Sequence, residues 1–247
     1  LRPEILLHGC LVELADATHN LSVPSDRVCH LFGHQPGKNP RPAIEGGMGR
    51  EDPVSLTIDN LSVLYRDGDH AIQALDRIRL HLPSGRCLAL IGESGSGKTT
   101  MALACMGLLP ENASTAGKLK FHERTFSPGE EKILARLRWN RVAMGFQNGA
   151  AHLNPLHRIV DQVAEPLIQH LGWERTAAQQ RAGGVLEDLG LGAAYHSRYP
   201  HQLSGGQAQR VLIAMAGILD PDVLILDEPT SALDAANKGI VTEVIDQ

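Results

Sequence analysis

The sequence predicts an α/β fold with a largely parallel central sheet, and three observations predict it. The apolar run Cys87-Leu88-Ala89-Leu90-Ile91 leads into a glycine-rich loop and then a helix-compatible run, Thr100-Met101-Ala102-Leu103-Ala104-Cys105-Met106. Val223-Leu224-Ile225-Leu226 is apolar without a break, as a parallel strand covered on both faces requires. Between these anchors, strand-like and helix-like stretches alternate.

Taken in order, residues 1–53 differ from the rest. The stretch 21–53 is rich in Pro, Gly and polar residues, as in Gly37-Lys38-Asn39-Pro40-Arg41-Pro42 and Glu45-Gly46-Gly47-Met48-Gly49, and reads as a linker or loosely folded tail. A new domain, 54–247, begins near Val54. Leu56, Ile58 and Leu61 through Tyr65 form one strand. A second runs from His70 to Leu82, with Ile72, Ala74, Ile78, Leu80 and Leu82 on its apolar side. Pro83-Ser84-Gly85 turns the chain into the strand before the glycine-rich loop. Gly117-Lys118-Leu119-Lys120-Phe121 is strand-like, and Val142-Ala143-Met144-Gly145-Phe146 is a short buried strand. Helical spacing dominates from Ile159 to Gly190, which reads as an inserted subdomain. A first residue other than Met and a helical pattern running to Gln247 suggest a piece of a longer protein.

A formal net charge of −5 argues against a protein that coats nucleic acid. The 12 histidines are scattered without metal-ligand spacing. Cys10, Cys29, Cys87 and Cys105 include no C-x-x-C pair, and Cys87 and Cys105 read as small buried residues in a reducing compartment. No run reads as a leader, and none approaches the ~20 apolar residues a bilayer span needs, so any membrane role is expected through a partner.

Gly92-Glu93-Ser94-Gly95-Ser96-Gly97-Lys98-Thr99 fits the phosphate-binding pattern G-x-x-x-x-G-K-[ST] at each fixed position. Chance produces this pattern at roughly one position in a few tens of thousands, and here it has the strand before it and the helix after it. The glycines let consecutive N–H groups face one anion, and the helix N-terminus adds partial positive charge. Lys98 is expected on the β- and γ-phosphates, with the Thr99 hydroxyl on Mg²⁺.

The second anchor is Val223-Leu224-Ile225-Leu226-Asp227-Glu228, which places two carboxylates at the carboxyl edge of the sheet, where α/β sites lie. Asp227 suits Mg²⁺, and Glu228 suits the orientation or deprotonation of an attacking water. The third is Leu203-Ser204-Gly205-Gly206-Gln207, ahead of a helical run from Ala208 to Leu219. It is rarer still by chance, at roughly one position in a million. A hydroxyl, two glycines and a helix N-terminus make a second anion site. One ATP does not need both surfaces if they lie far apart.

In this order, the three motifs resemble the nucleotide-binding subunit of an ABC ATPase, over about residues 54–247. The resemblance implies a P-loop NTPase core with an antiparallel β subdomain and an inserted helical subdomain, about 148–210. It also implies two such domains paired head to tail, each ATP lying between one phosphate loop and the other's Ser-Gly-Gly-Gln. The ATP-binding set is then Tyr65, Gly92 to Thr99 and Thr100, with Tyr65 stacked on adenine. Leu203, Ser204, Gly205, Gly206 and Gln207 serve the partner's ATP. Glu228, Gln147 and Lys98 are the catalytic residues, and Thr99, Gln147 and Asp227 hold Mg²⁺. Ser231-Ala232-Leu233-Asp234 lines the dimer seam.

Leu153-Asn154-Pro155-Leu156, Tyr199-Pro200-His201-Gln202 and Arg210-Val211-Leu212-Ile213-Ala214-Met215-Ala216 further resemble the peptide and nickel importer group. That implies an ATP-hydrolysing subunit, peripheral on the cytoplasmic face of the inner or plasma membrane. Its partners would be a second ATPase domain, identical, related or fused, and membrane permeases fed by an extracytoplasmic binding protein. The alternatives are an ABC ATPase outside transport and a nucleotide-binding module that does not hydrolyse.

Some positions depart from the family pattern. Asn148-Gly149 replaces Asp-Pro after the glutamine, and Ala208 replaces a larger residue. The switch histidine expected beyond Asp234 has no counterpart in the sequence. Ile5-Leu6-Leu7-His8, followed by Glu13-Leu14-Ala15-Asp16, resembles the switch strand and next helix, with Gly9 in place of Asp. Residues 1–35 then read as the tail of a preceding ATPase domain to which His8 belongs, with an unrelated tail as the alternative.

Overall fold

The computed structural model describes residues 5–7, 11–15, 56–83, 88–121, 124–146 and 149–227. Strands β1 (Ile5–Leu7) and β2 (Leu11–Ala15) come first. A long hairpin, β3 (Leu56–Asp67) and β4 (His70–Leu82), follows. Next are β5 (Leu88–Ile91), α1 (Lys98–Met106), β6 (Ala113–Phe121), β7 (Arg124–Phe126), α2 (Glu131–Leu137) and β8 (Val142–Gly145). Helices α3 (Ile159–Leu171), α4 (Arg175–Asp188) and α5 (Gly205–Gly217) precede the last strand, β9 (Val223–Asp227).

Two sheets result. One is antiparallel, in the order β4-β3-β6-β7; the other has the order β5-β2-β1-β9-β8, with β2 also pairing to β9. In the second sheet β2 runs parallel to both β5 and β9, and β8 parallel to β9, while β1 is antiparallel to β9. The expectation that Glu13-Leu14-Ala15 opens a helix fails: these residues lie in β2, bonded on both sides to parallel neighbours. Sheet pairing prevails over a weak local resemblance there.

Strand β9 explains its own unbroken hydrophobicity. Leu224 and Leu226 belong to a core built with α3, α4 and α5. Val223 and Ile225 belong to a second core, shared with α1, α2 and the antiparallel sheet. Alternate side chains of one strand therefore enter different cores, and no position can be polar until Asp227. Strand β8 divides likewise, Ala143 toward the helices and Val142 and Met144 toward the antiparallel sheet.

The alternation expected in β4 holds only in part. Leu75 and Leu82 are buried, but Ile72 is 67% exposed. The pairing of β3 with β4 shifts register between Ile58 and Leu64. At the shift, Arg77 takes φ 50° and donates its N–H to the Ser62 hydroxyl at 2.9 Å. Such an irregularity resets which face each residue takes, which a strict two-residue period does not anticipate. Cys105 is buried as expected, and burial pushes its thiol up to about 12, so it behaves as a small hydrophobe. Cys10, Cys29 and Cys87 lie outside the described residues.

The lower ends of β8 and β9 are joined by an ion pair. Arg141 Nη1 donates to Asp222 Oδ2 at 2.7 Å, with the Asp222 side chain only 4% exposed. Val223 N–H donates to Arg141 O at 2.8 Å beside it. Removing the carboxylate strands a guanidinium that is itself mostly buried. Asp222→Ala is expected to lower unfolding free energy by about 3 kcal/mol in urea titrations, and Asp222→Asn, which keeps an acceptor, by less than about half of that.

Candidate functional site

The glycine-rich loop leaves β5 and closes on itself. Ser96 N–H donates to Glu93 O at 3.1 Å, and Lys98 Nζ donates to Gly92 O at 2.8 Å and Glu93 O at 2.9 Å. Gly97 is the N-cap of α1 at φ 91°. A Cβ there would sit 2.7 Å from Ala74 O and 2.8 Å from Leu75 Cδ2, so only glycine lets the loop press against β4. No side chain caps α1, so its first-turn amides keep the donor capacity that an anion uses.

Two contacts tie this loop to distant elements. Thr99 Oγ1 donates to Asp227 Oδ2 at 2.9 Å, bringing the phosphate motif and the acidic strand end into one site. Tyr65 Oη donates to Thr100 Oγ1 at 3.3 Å, which sets the partly buried ring of β3 beside the start of α1. Asp227 is only 4% exposed. Burial raises its pKa; the Thr99 hydrogen bond and the Lys98 charge act against that rise. Thr99 and Asp227 together offer hard oxygen donors, a set that suits Mg²⁺.

Leu203-Ser204-Gly205-Gly206-Gln207 lies at the head of α5, whose Ala208 to Ile213 face packs into the helical core rather than the core of α1. Ser204 Oγ accepts from Gln207 N–H at 3.3 Å, and Gln207 Oε1 accepts from Ser204 N–H at 2.9 Å. The motif is thus also a capping box, a signal present in the spacing Ser-x-x-Gln. The cap uses a lone pair of the hydroxyl and leaves its proton able to donate to an anion.

The structure brings together Tyr65, Gly92–Thr100 and Asp227, and it sets Leu203–Gln207 on a separate helix end. Gln147, Glu228 and Ser231-Ala232-Leu233-Asp234 lie outside the described residues, as does His8.

Besides Asp222, three buried polar side chains have no role assigned from the sequence. Gln162, 3% exposed, accepts from Asn154 N–H at 2.8 Å and donates to Asn154 O at 3.0 Å and His157 O at 2.9 Å, shaping the Leu153–Leu156 loop. Arg210, 5% exposed, donates to Leu189 O at 3.0 Å and Gly206 O at 3.4 Å, fastening the first turn of α5 to the end of α4. Gln209, 1% exposed, donates to Phe146 O at 3.3 Å. For two of them the sequence carries a slight signal, the polar pair Gln209-Arg210 ahead of the apolar run Val211 to Ala216.

The family model described as ABC transporter matches residues 75–231. The chain is 39% identical over 194 residues to the uncharacterized ABC transporter ATP-binding protein YejF of Escherichia coli K12, covering 77% of this chain and 37% of that protein. It is 37% identical over 194 residues to the oligopeptide transport ATP-binding protein AppD of Bacillus subtilis, covering 77% and 59%. It is 38% identical over 193 residues to the dipeptide transport ATP-binding protein DppD of Escherichia coli K12, again 77% and 59%. The chain therefore spans between about a third and three fifths of the length of these relatives. A dimeric structure of the ATP-binding cassette MJ0796 in a post-hydrolysis state, bound to ADP and Pi, superposes with TM-score 0.64 at 25% identity, over 77% of this chain and 81% of that one.

Burial gives the ionised Asp227 carboxylate a cost in the folded protein, because the raised folded pKa favours the neutral form. That cost is full above the folded pKa and disappears below the unfolded one. In EDTA, Asp227→Asn is expected to melt above wild type at about pH 8, and the gain should shrink as pH falls through the raised folded pKa toward the ordinary Asp value of about 4. Thermal denaturation across this range reads both. A lower melting temperature at alkaline pH would mean that the carboxylate stabilises the fold.

Proposed function

Because the chain belongs to the ABC transporter family, we propose that it is the ATP-binding and ATP-hydrolysing subunit of an importer for peptides, nickel or a related small solute. The observation that carries this reading is the Thr99–Asp227 hydrogen bond, which unites the two motifs that phosphoryl transfer needs. The oligopeptide and dipeptide transport proteins among the relatives favour peptides as cargo.

In this reading, the loop amides and the N-terminus of α1 bind the ATP phosphates, Lys98 neutralises charge on the β- and γ-phosphates, and Tyr65 stacks on the adenine. Thr99, Asp227 and Gln147 hold Mg²⁺, which supplies charge neutralisation on the phosphate oxygens. Glu228 takes the proton of the water that attacks the γ-phosphorus in line, and Gln147 orients that water. Preorganised charge of this kind supplies most of the rate in phosphoryl transfer. Leu203–Gln207 closes on the ATP held by a second cassette, whose own motif closes on this one, with Ser231–Asp234 lining the seam. The neighbouring fold in MJ0796 is dimeric, which supports this arrangement.

Closure of the pair passes to integral membrane permeases, fed in turn by an extracytoplasmic binding protein. Among the described residues, no helix is long and apolar enough to cross a membrane. In this reading the subunit is peripheral, held on the cytoplasmic face of the inner or plasma membrane by those partners. Residues 54–247 are read as the cassette and residues 1–53 as an N-terminal extension, its residues 1–35 being the tail of a preceding cassette that is here paired through β1 and β2 into the sheet of this one. In the relative YejF the matched 194 residues make up 37% of the length, which leaves room for a second cassette.

For the full-length protein, Glu228→Gln is expected to bind ATP and accumulate as an ATP-bound dimer while kcat falls at least about a hundredfold, the scale of a lost general base. Steady-state phosphate release and gel filtration measure the two effects, and unchanged hydrolysis would remove Glu228 from its role. Lys98→Ala is expected to weaken ATP binding about ten- to a hundredfold by calorimetry. Equal affinity would count against the placement of the ammonium.

A further inference from the structure

The two strands that carry the site do not pair with each other. Strand β5 leads into Gly92 and β9 ends at Asp227, and β2 lies between them, parallel to both. Glu13 stands opposite Ala89 on one side and Leu226 on the other, and Leu14 stands opposite Leu90 and Asp227. Ala15, the last residue of β2, is level with Ile91, the last of β5. Strand β2 therefore ends flush with both the phosphate loop and the acidic strand end. Among the described residues it is the one strand beside β5, while β9 holds β8 along its other edge. Yet β2 lies outside residues 75–231, the part that the family model matches.

Two interstrand spacings separate β5 from β9, about 9.6 Å at about 4.8 Å each. Without β2, either the backbone groups of β5 and of the fully buried β9 lose their partners, or β5 closes on β9 by one spacing. Neither arrangement preserves the 2.9 Å contact of Thr99 Oγ1 with Asp227. We infer that Leu11–Ala15 is a working part of this site: the N-terminal segment supplies the strand that spaces the phosphate loop from Asp227. This rests on the nucleotide-binding role given above to those two elements. It makes the tail of the preceding cassette a shared strand and not a tether, so that damage to the tail disables the site that follows it. Residues 16–55 leave a connection far longer than the roughly dozen residues that a parallel crossover needs.

The test uses the full-length protein. In wild type, the amides of Leu11–Ala15 are expected to exchange with deuterium at least about a hundredfold more slowly than in an unstructured chain, the behaviour of an interior strand. Exchange at the unstructured rate would overturn the inference without any variant. Glu13→Pro removes a ladder donor where β2 has neighbours on both sides. Amides of Leu88–Ile91 and Leu224–Asp227 should then exchange at least about tenfold faster, the scale of one hydrogen bond, while those of Leu56–Val63 in the antiparallel sheet change less than about twofold. The unchanged sheet shows that the variant is folded. Equal exchange of β5 and β9 in both proteins would overturn the proposal.

Glu13→Gly, which weakens the strand and keeps its donor, serves if the proline variant fails to fold, with the same pattern at about threefold. MgATP affinity at the Lys98 site, the part of calorimetric binding that Lys98→Ala removes, should fall at least about tenfold in Glu13→Pro. Raised exchange with unchanged affinity would overturn the spacing role. If wild type binds no MgATP while the exchange pattern holds, the nucleotide-binding reading falls and the place of β2 between β5 and β9 stands.

Discussion

The hydrogen bond from the Thr99 hydroxyl to the Asp227 carboxylate spans 128 residues of sequence and only 2.9 Å of space. It fixes the relation between the start of α1 and the end of β9, and hence between the amides proposed to bind phosphate and the carboxylate proposed to hold a metal. The fold around it serves that relation. Strand β9 is buried along its whole length, and its two faces belong to two different cores. Asp227 is the first polar residue the strand can carry, and it stands where both cores end. Its burial disfavours the charged form, so the carboxylate is held in place by packing and by Thr99 rather than by its own preference.

The two cores also separate two kinds of chemistry. The core of the antiparallel sheet and α1 supports the chain's own phosphate loop, through the close approach of Gly97 to β4 and the contact of Tyr65 with Thr100. The helical core supports the head of α5, with its Ser204–Gln207 capping box. Strands β8 and β9 stand between them. Gln209 reaches from the helical core to the carbonyl that follows β8. A buried amide in that place restricts the permitted arrangements more than an apolar residue would, since a lost partner leaves a desolvated donor.

Most of the architecture was legible because it follows from period and punctuation. The run Val223–Leu226 announced a strand with two buried faces, and Gly97-Lys98-Thr99 announced a loop before a helix. Features that depend on register were not legible. Ile72 was expected inward and lies exposed, because the shifted pairing of β3 and β4 resets the alternation that a simple two-residue pattern assumes. Glu13–Ala15 resembles the family's helix after the switch strand and pairs as a strand instead, with partners far away in sequence. At the site, the phosphate loop, Asp227 and the Ser204 motif were visible as spaced residue types. Gln162, Gln209 and Arg210 were not, because a single buried polar residue gains its meaning only from the carbonyl it meets.

The proposed function requires the head of α5 to complete a nucleotide site on another cassette. Orthovanadate, trapped with ADP in the place of the transferred phosphoryl group, cleaves the neighbouring backbone under ultraviolet light. In the full-length protein, nucleotide-dependent cleavage is expected both within Gly92–Thr99 and within Leu203–Gln207. Cleavage confined to Gly92–Thr99, in preparations that hydrolyse ATP normally, would contradict it.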